Sequence, residues 1–176
     1  YDGEFELLIP KNTIDKLKTL GLTGEVRIRH SNAMAIFATE DFEICTRLVQ
    51  GEYYKYQNMF KELPLHTVIS RKELLDAMVR AKMCTAEKCP VKFEIAGSQL
   101  GLSIKDQTTD YHETVDLQEN ISEELTIGFD ARLVIETLKA FDCDNVGISL
   151  QSPKMPMIIE AEDSDFKTIV LPVAIK

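Results

Sequence analysis

The chain has 176 residues, 44% of them apolar, which is enough to bury a real core and excludes a disordered tail. Its net charge of −9 favours solubility and, taken as an average, argues against a nucleic-acid partner. There is no tryptophan, and no apolar run approaches the ~20 residues that a membrane helix needs.

The length allows one large domain or one and a half ordinary ones. The opening "YDGEFELL" lacks the basic-then-apolar pattern of a signal peptide and lacks an initiating methionine, so processing or truncation is an open expectation. Cys45, Cys84, Cys89 and Cys143 show no framework spacing, which points to a reducing, cytoplasmic setting.

In chain order, the first phrase is "FELLIPKNTIDKLKTLG", Phe5 to Gly21. It reads as a strand, a sharp turn and a helix with Ile14, Leu17 and Leu20 on one stripe. Asn12 or Thr13 is the expected N-cap and Gly21 the stop. The strand-like segments "GEVRIRHS", "NAMAIFAT" and "FEICTRLV" follow; in the first, Val26, Ile28 and His30 alternate with Arg27 and Arg29, a half-buried pattern. The stretch "GEYYKYQNMFKELP", Gly51 to Pro64, reads as a linker.

The second phrase, "HTVISRKELLDAMVRAKM", places Ser70 and Glu73 in a capping box ahead of Leu74, Leu75, Met78 and Val79. "PVKFEIAG", "QLGLSIKD" and "YHETVDLQ" follow as strands. The third phrase, "LTIGFDARLVIETLKAFD", has Asp130 as cap and Leu133, Val134 and Leu138 at helical spacing. It leads into "NVGISLQS", "PMIIEAE" and "FKTIVLPVAI". Each unit is thus strand, helix and three strands, at roughly Asp2–Gly51, Leu65–Glu119 and Glu124–Lys176. One unit alone is marginal, while two side by side make a plausible domain. The fold class is α+β: repeated β-α-β-β-β units with helices on one face of antiparallel sheets.

Charge is segregated among these elements. The three helices, about Lys11–Leu20, Arg71–Cys84 and Ala131–Phe141, hold nine of the twenty basic residues and only four acidic ones. They are therefore net +5, against −14 for the rest of the chain. Such a layer is either an ordinary solvated helix face or a surface for weak, salt-sensitive contact with a phosphate backbone.

Together, "LTIGFDARLVIETLKAFD", "RLVQGEYYKYQNMF", "VISRKELLDAMVRAKMCT" and the terminal "IVLPVAI" resemble the bacterial sliding clamp, the beta subunit of DNA polymerase III, in order along the whole chain. The resemblance implies a DNA-clamp fold in which each domain is built from two units. Residues 1–60 would be the second half of a middle domain and residues 61–176 the complete C-terminal domain. It implies a non-catalytic processivity factor that encircles duplex DNA as a homodimer ring. Replicative and repair polymerases and the clamp loader would dock through a short glutamine-plus-hydrophobic peptide.

Carried over by position, the peptide pocket would use Tyr54, Met59, Pro156, Ile169, Leu171, Pro172 and Val173. The DNA-facing residues would be Lys11, Asn12, Arg71, Lys72, Lys88 and Arg132, with Arg80 added on charge alone. Two positions depart from the family: Tyr54 stands where proline is common, and Ala174 where arginine is frequent.

Other classes fare worse. Cys84 and Cys89 have no second close pair to complete a zinc tetrahedron. Asp142-Cys143-Asp144 lacks the glycine and glutamate of a calcium loop. No phosphate loop, nucleophile elbow or metalloprotease motif is present, so no catalytic residue, metal or cofactor is expected. A free-standing peptide-binding module that does not encircle DNA is the alternative.

Overall fold

The structure is a computed structural model that describes residues 5–21, 24–84, 89–105 and 108–175. The chain forms two compact units that part between Lys55 and Tyr56.

The first unit contains α1 (Lys11–Thr19) and the strands β1 (Arg27–His30), β2 (Met34–Ala38) and β3 (Glu43–Arg47), paired as an antiparallel meander. Three expectations need correction. The leading strand at Phe5–Pro10 forms no ladder; one bond, from Val49 N–H to Leu8 O at 2.8 Å, ties it to the chain after β3. Pro10 then starts the helix in place of Asn12 or Thr13, its carbonyl accepting from Thr13 N–H at 2.9 Å. Its ring removes a strand donor and presets the φ that a helix entry needs. The Thr13 hydroxyl is instead buried and lies 2.8 Å from that of Thr46, joining α1 to β3.

The third correction is β1, where all four residues are exposed, Ile28 included. β1 is an edge strand, and the core of this unit is small: among the described residues only Thr13, Ala35, Phe37, Ala38 and Thr46 are buried. Ile14 and Leu17 are half-buried and Leu20 is exposed, so the α1 stripe is largely uncovered within this unit. Gly21 does end α1 as expected, at φ +56 with its N–H on Lys18 O.

In the second unit the expected linker carries a 3-10 turn, Tyr56–Met59, with the Tyr56 ring edge-on to Phe60. Then come β4 (Leu65–Ser70), α2 (Arg71–Cys84), β5 (Val91–Lys105), β6 (Asp110–Phe129), α3 (Ala131–Lys139), β7 (Asn145–Leu150), β8 (Met157–Ala161) and β9 (Lys167–Val170). They form one antiparallel sheet in the order β5-β6-β4-β7-β8-β9.

β5 joins two segments expected as separate strands, and β6 joins the last strand of the second unit of sequence to the first of the third. β5 turns back on itself at Gly97, φ +56. A Cβ on Gly101 would sit 3.6 Å from the Cβ of Glu94, whereas a straight strand separates residues so spaced by ~23 Å. Ser103 Oγ, likewise, reaches Glu94 at 3.1 Å.

The repeat written in the sequence is thus a physical one. β4 leads into α2 through Ser70, whose hydroxyl accepts from Glu73 N–H at 3.3 Å; β6 leads into α3 through Asp130, whose carboxylate accepts from Arg132 N–H at 2.9 Å. Leu74, Ala77, Met78 and Ala81 of α2 share one core with Val134, Ile135 and Leu138 of α3. The two helices pack against each other and against inward side chains such as Ile69, Val146, Ile148 and Ile159. Intervening residues, His66, Gly147, Ser149, Ile158 and Glu160, take the opposite face of the sheet, as strand alternation requires. Leu133 and Val79, expected on the stripes, are exposed, while Ile135 and Ala77 are buried.

Candidate docking and DNA-facing surfaces

Six of the seven pocket residues belong to the second unit; Tyr54 lies in the first and is 70% exposed. Met157 pairs with Val170, so Pro156 stands beside Leu171 where the β8–β9 ladder ends. Beyond Val170 the chain leaves the ladder and presents Leu171, 58% exposed, and Val173, 39% exposed. Pro172, Ile169, Pro156 and Met59 are half-buried. An apolar side chain left this open at a strand end is a surface suited to capturing another apolar group. Among the described residues one backbone bond holds the segment, Val173 N–H to Gly128 O at 2.8 Å.

Sequence reasoning missed a neighbouring groove of about 380 Å³. Phe60, Leu63, His66, Ser149, Ile158 and Glu160 are among its lining residues. Ile158 pairs with Ile169, and Phe60 follows Met59, so the groove adjoins the expected pocket residues along the chain and the ladder. Part of its polar lining is already paired. Lys167 Nζ sits 2.7 Å from Glu160, which holds the ammonium above its usual range, and His66 lies 3.5 Å from both Glu119 and Glu160. Strand pairing collects His66, Ser149, Ile158, Glu160 and Lys167, and the chain before β4 adds Phe60 and Leu63.

The DNA-facing set divides. Lys11 and Asn12 are exposed at the start of α1 in the first unit, and Lys72 is exposed at the start of α2. Arg71 is partly buried, its Nε donating to Cys143 O at 2.5 Å. Its backbone N–H donates to Asp144 O at 2.9 Å, which docks the start of α2 on the turn after α3. Arg80 is an ion-pair partner instead of an open charge: its guanidinium grips Glu113, with Nε 3.1 Å from Oε2. That pair holds the Glu113 carboxyl below its usual range, and Tyr111 donates its hydroxyl to the same carboxylate.

Arg132 Nη2 lies 2.8 Å from Asp130, the residue that caps its own helix, and holds that carboxyl low. Lys88 lies outside the described residues. Arg80 and Arg132 present their guanidinium groups beside a carboxylate, which weakens their pull on a distant anion. All four cysteines are free thiols, and no group of metal-ligating side chains gathers among the described residues. Among those residues no helix is long and apolar enough to cross a membrane.

Residues 61–174 match the profile of the DNA polymerase III beta subunit, C-terminal domain. The chain belongs to this family. It is 26% identical over 180 residues to the beta sliding clamp of Streptococcus pneumoniae, covering 97% of this chain and 47% of that one. It is 25% identical over 179 residues to the beta sliding clamp of Vibrio cholerae, with 96% and 47% covered. Solved structures show the same fold: the DNA polymerase III beta chain of S. pneumoniae superposes with a TM-score of 0.87 at 24% identity, over 99% of this chain and 48% of its own. The beta subunit of Pseudomonas aeruginosa does so with 0.88 at 20%, over 99% and 49%. The beta-subunit fold therefore runs through both units here, and the chain spans about half the length of the relatives it matches.

Proposed function

We propose that this chain serves as part of a DNA sliding clamp, the processivity factor of a bacterial replicative polymerase. In this reading residues 1–60 are the second half of a middle clamp domain and residues 61–176 the C-terminal domain. The protein is cytoplasmic and performs no chemistry itself. It encircles duplex DNA as a homodimer ring and receives polymerases and the clamp loader through a short glutamine-plus-hydrophobic peptide. The observation that carries the reading is the C-terminal-domain match over residues 61–174, on a unit whose two halves repeat one strand–helix–strand plan.

A closed ring holds DNA by linkage, so individual contacts need not be tight. Lys11, Asn12 and Lys72 would supply weak, sequence-independent phosphate contact, supported by their exposure at helix starts. Arg71, Arg80 and Arg132 would add a background field, two of them tempered by carboxylates. Leu171, Pro172, Val173, Ile169, Pro156 and Met59 would take the peptide's apolar side chains, a mode that gives modest affinity to many competing partners.

Two measurements test the reading. The intact mass of the native protein, set against its reading frame, should be about twice that of this chain, as the 47% coverage of the relatives suggests. A native product of 176 residues would favour the peptide-binding module that does not encircle DNA. The 176-residue chain should also bind duplex DNA poorly at near-physiological salt; tight binding there would contradict retention by linkage.

A further inference from the structure

We infer that Gly128 is a positioning residue for the Leu171–Val173 surface, acting with Ile175 as a complementary hole and knob; the functional part of this inference rests on the peptide-docking reading above. A Cβ at Gly128 would lie 2.7 Å from Ile175 Cγ1 and 2.8 Å from Val173 O, closer than real contacts allow. The terminal segment therefore crosses directly over Gly128, and its only described backbone tie to β6 is the Val173 N–H bond to that residue's carbonyl. Any side chain at position 128 must push back the segment that carries Leu171, Pro172 and Val173.

The repeat supplies an internal control. Counting back two residues from each helix cap, Gly128 before Asp130 corresponds to Leu8 before Pro10 and to Val68 before Ser70. Leu8 O accepts from Val49 N–H at 2.8 Å, as Gly128 O accepts from Val173 N–H at 2.8 Å. The same backbone pairing thus coexists with a full leucine side chain in the first unit. The residue two places on is Ile175 in one case and Gly51, at φ +120, in the other. A Cβ at Gly51 would meet nothing within 4 Å, so no side chain crosses there as Ile175 crosses Gly128. The strand does not demand glycine; the passing segment does.

The test uses the chain as it is, with Gly128→Ala, Gly128→Leu and the double variant Gly128→Leu/Ile175→Gly, which removes the side chain that a larger residue at position 128 would meet. Deuterium uptake over residues 171–175 and thermal melting are read together with the Kd of a fluorescent glutamine–leucine–phenylalanine peptide. In Gly128→Ala the segment should exchange at least tenfold faster and the peptide should bind at least tenfold more weakly, with melting of the second unit little changed. The double variant should recover most of what Gly128→Leu loses in both readouts. Unchanged exchange in both single variants would overturn the inference whatever the peptide does. Faster exchange with unaltered peptide affinity would overturn the positioning role. Failure of the wild-type chain to take the peptide, with exchange responding as expected, would sink the docking reading and leave the hole-and-knob contact standing as architecture alone.

Discussion

Asp130 shows how one side chain can serve a single helix twice. Its carboxylate accepts the Arg132 N–H as the N-cap of α3 and also receives the Arg132 guanidinium, and the resulting charge-assisted bonds depress its pKa. A depressed carboxyl contributes stability above its unfolded pKa and loses it as pH falls through the folded value. Asp130→Ala should therefore cost about 1 kcal/mol in urea unfolding at neutral pH, and the deficit should shrink below about pH 4. Tyr111 is the opposite case. Burial, then the Glu113 carboxylate beside it, push its phenol up to about 12. Glu113→Gln should bring the phenol down toward, but not fully to, the ordinary ~10, because burial remains; ultraviolet titration of the phenolate reads this directly.

At the scale of elements, α3 separates pattern from packing. Leu133 and Leu138 both fit the helical stripe, yet Leu133 is 47% exposed and Leu138 fully buried against the sheet and α2. The stripe defines a broad arc, and only the position of the partner helix decides which edge of the arc is covered. Leu138→Ala should cost ~2–5 kcal/mol by creating a core cavity, while Leu133→Ala should stay within about 1 kcal/mol; paired chemical denaturation curves compare them. The β5 turn is a different kind of element-level feature. At Gly97 nothing lies within 4 Å of a would-be Cβ, so Gly97→Ala meets only the cost of a left-handed backbone, ~1–2 kcal/mol.

At the scale of the molecule, the two units differ in how much core they own. The described hydrophobic cluster lies wholly within the second unit, from Leu65 to Val170, whereas the first buries a few small side chains, Phe37 and two threonines. Amides of α1 and β1–β3 should accordingly exchange faster than those of β4–β9 and α2–α3, and equal protection in the two would contradict this account. Exposed Phe5, Leu20, Ile28 and Met34 belong to the same deficit.

The local devices were legible in the chain because they act over a few residues. The Ser70 and Asp130 caps and the Gly21 stop follow from spacing and side-chain chemistry. The threefold phrase and the extra positive charge on the helices were equally readable, being properties of order and composition. Tertiary structure alone decided the rest. The Thr13 hydroxyl, expected to cap α1, instead meets that of Thr46, 33 residues away. Arg80 on α2 met Glu113 on β6, and Ile158 came to line one groove with Phe60 and His66, through tertiary packing that no local window contains. Whether a charge stays open, or an apolar side chain is covered, depends on what the folded chain brings opposite it.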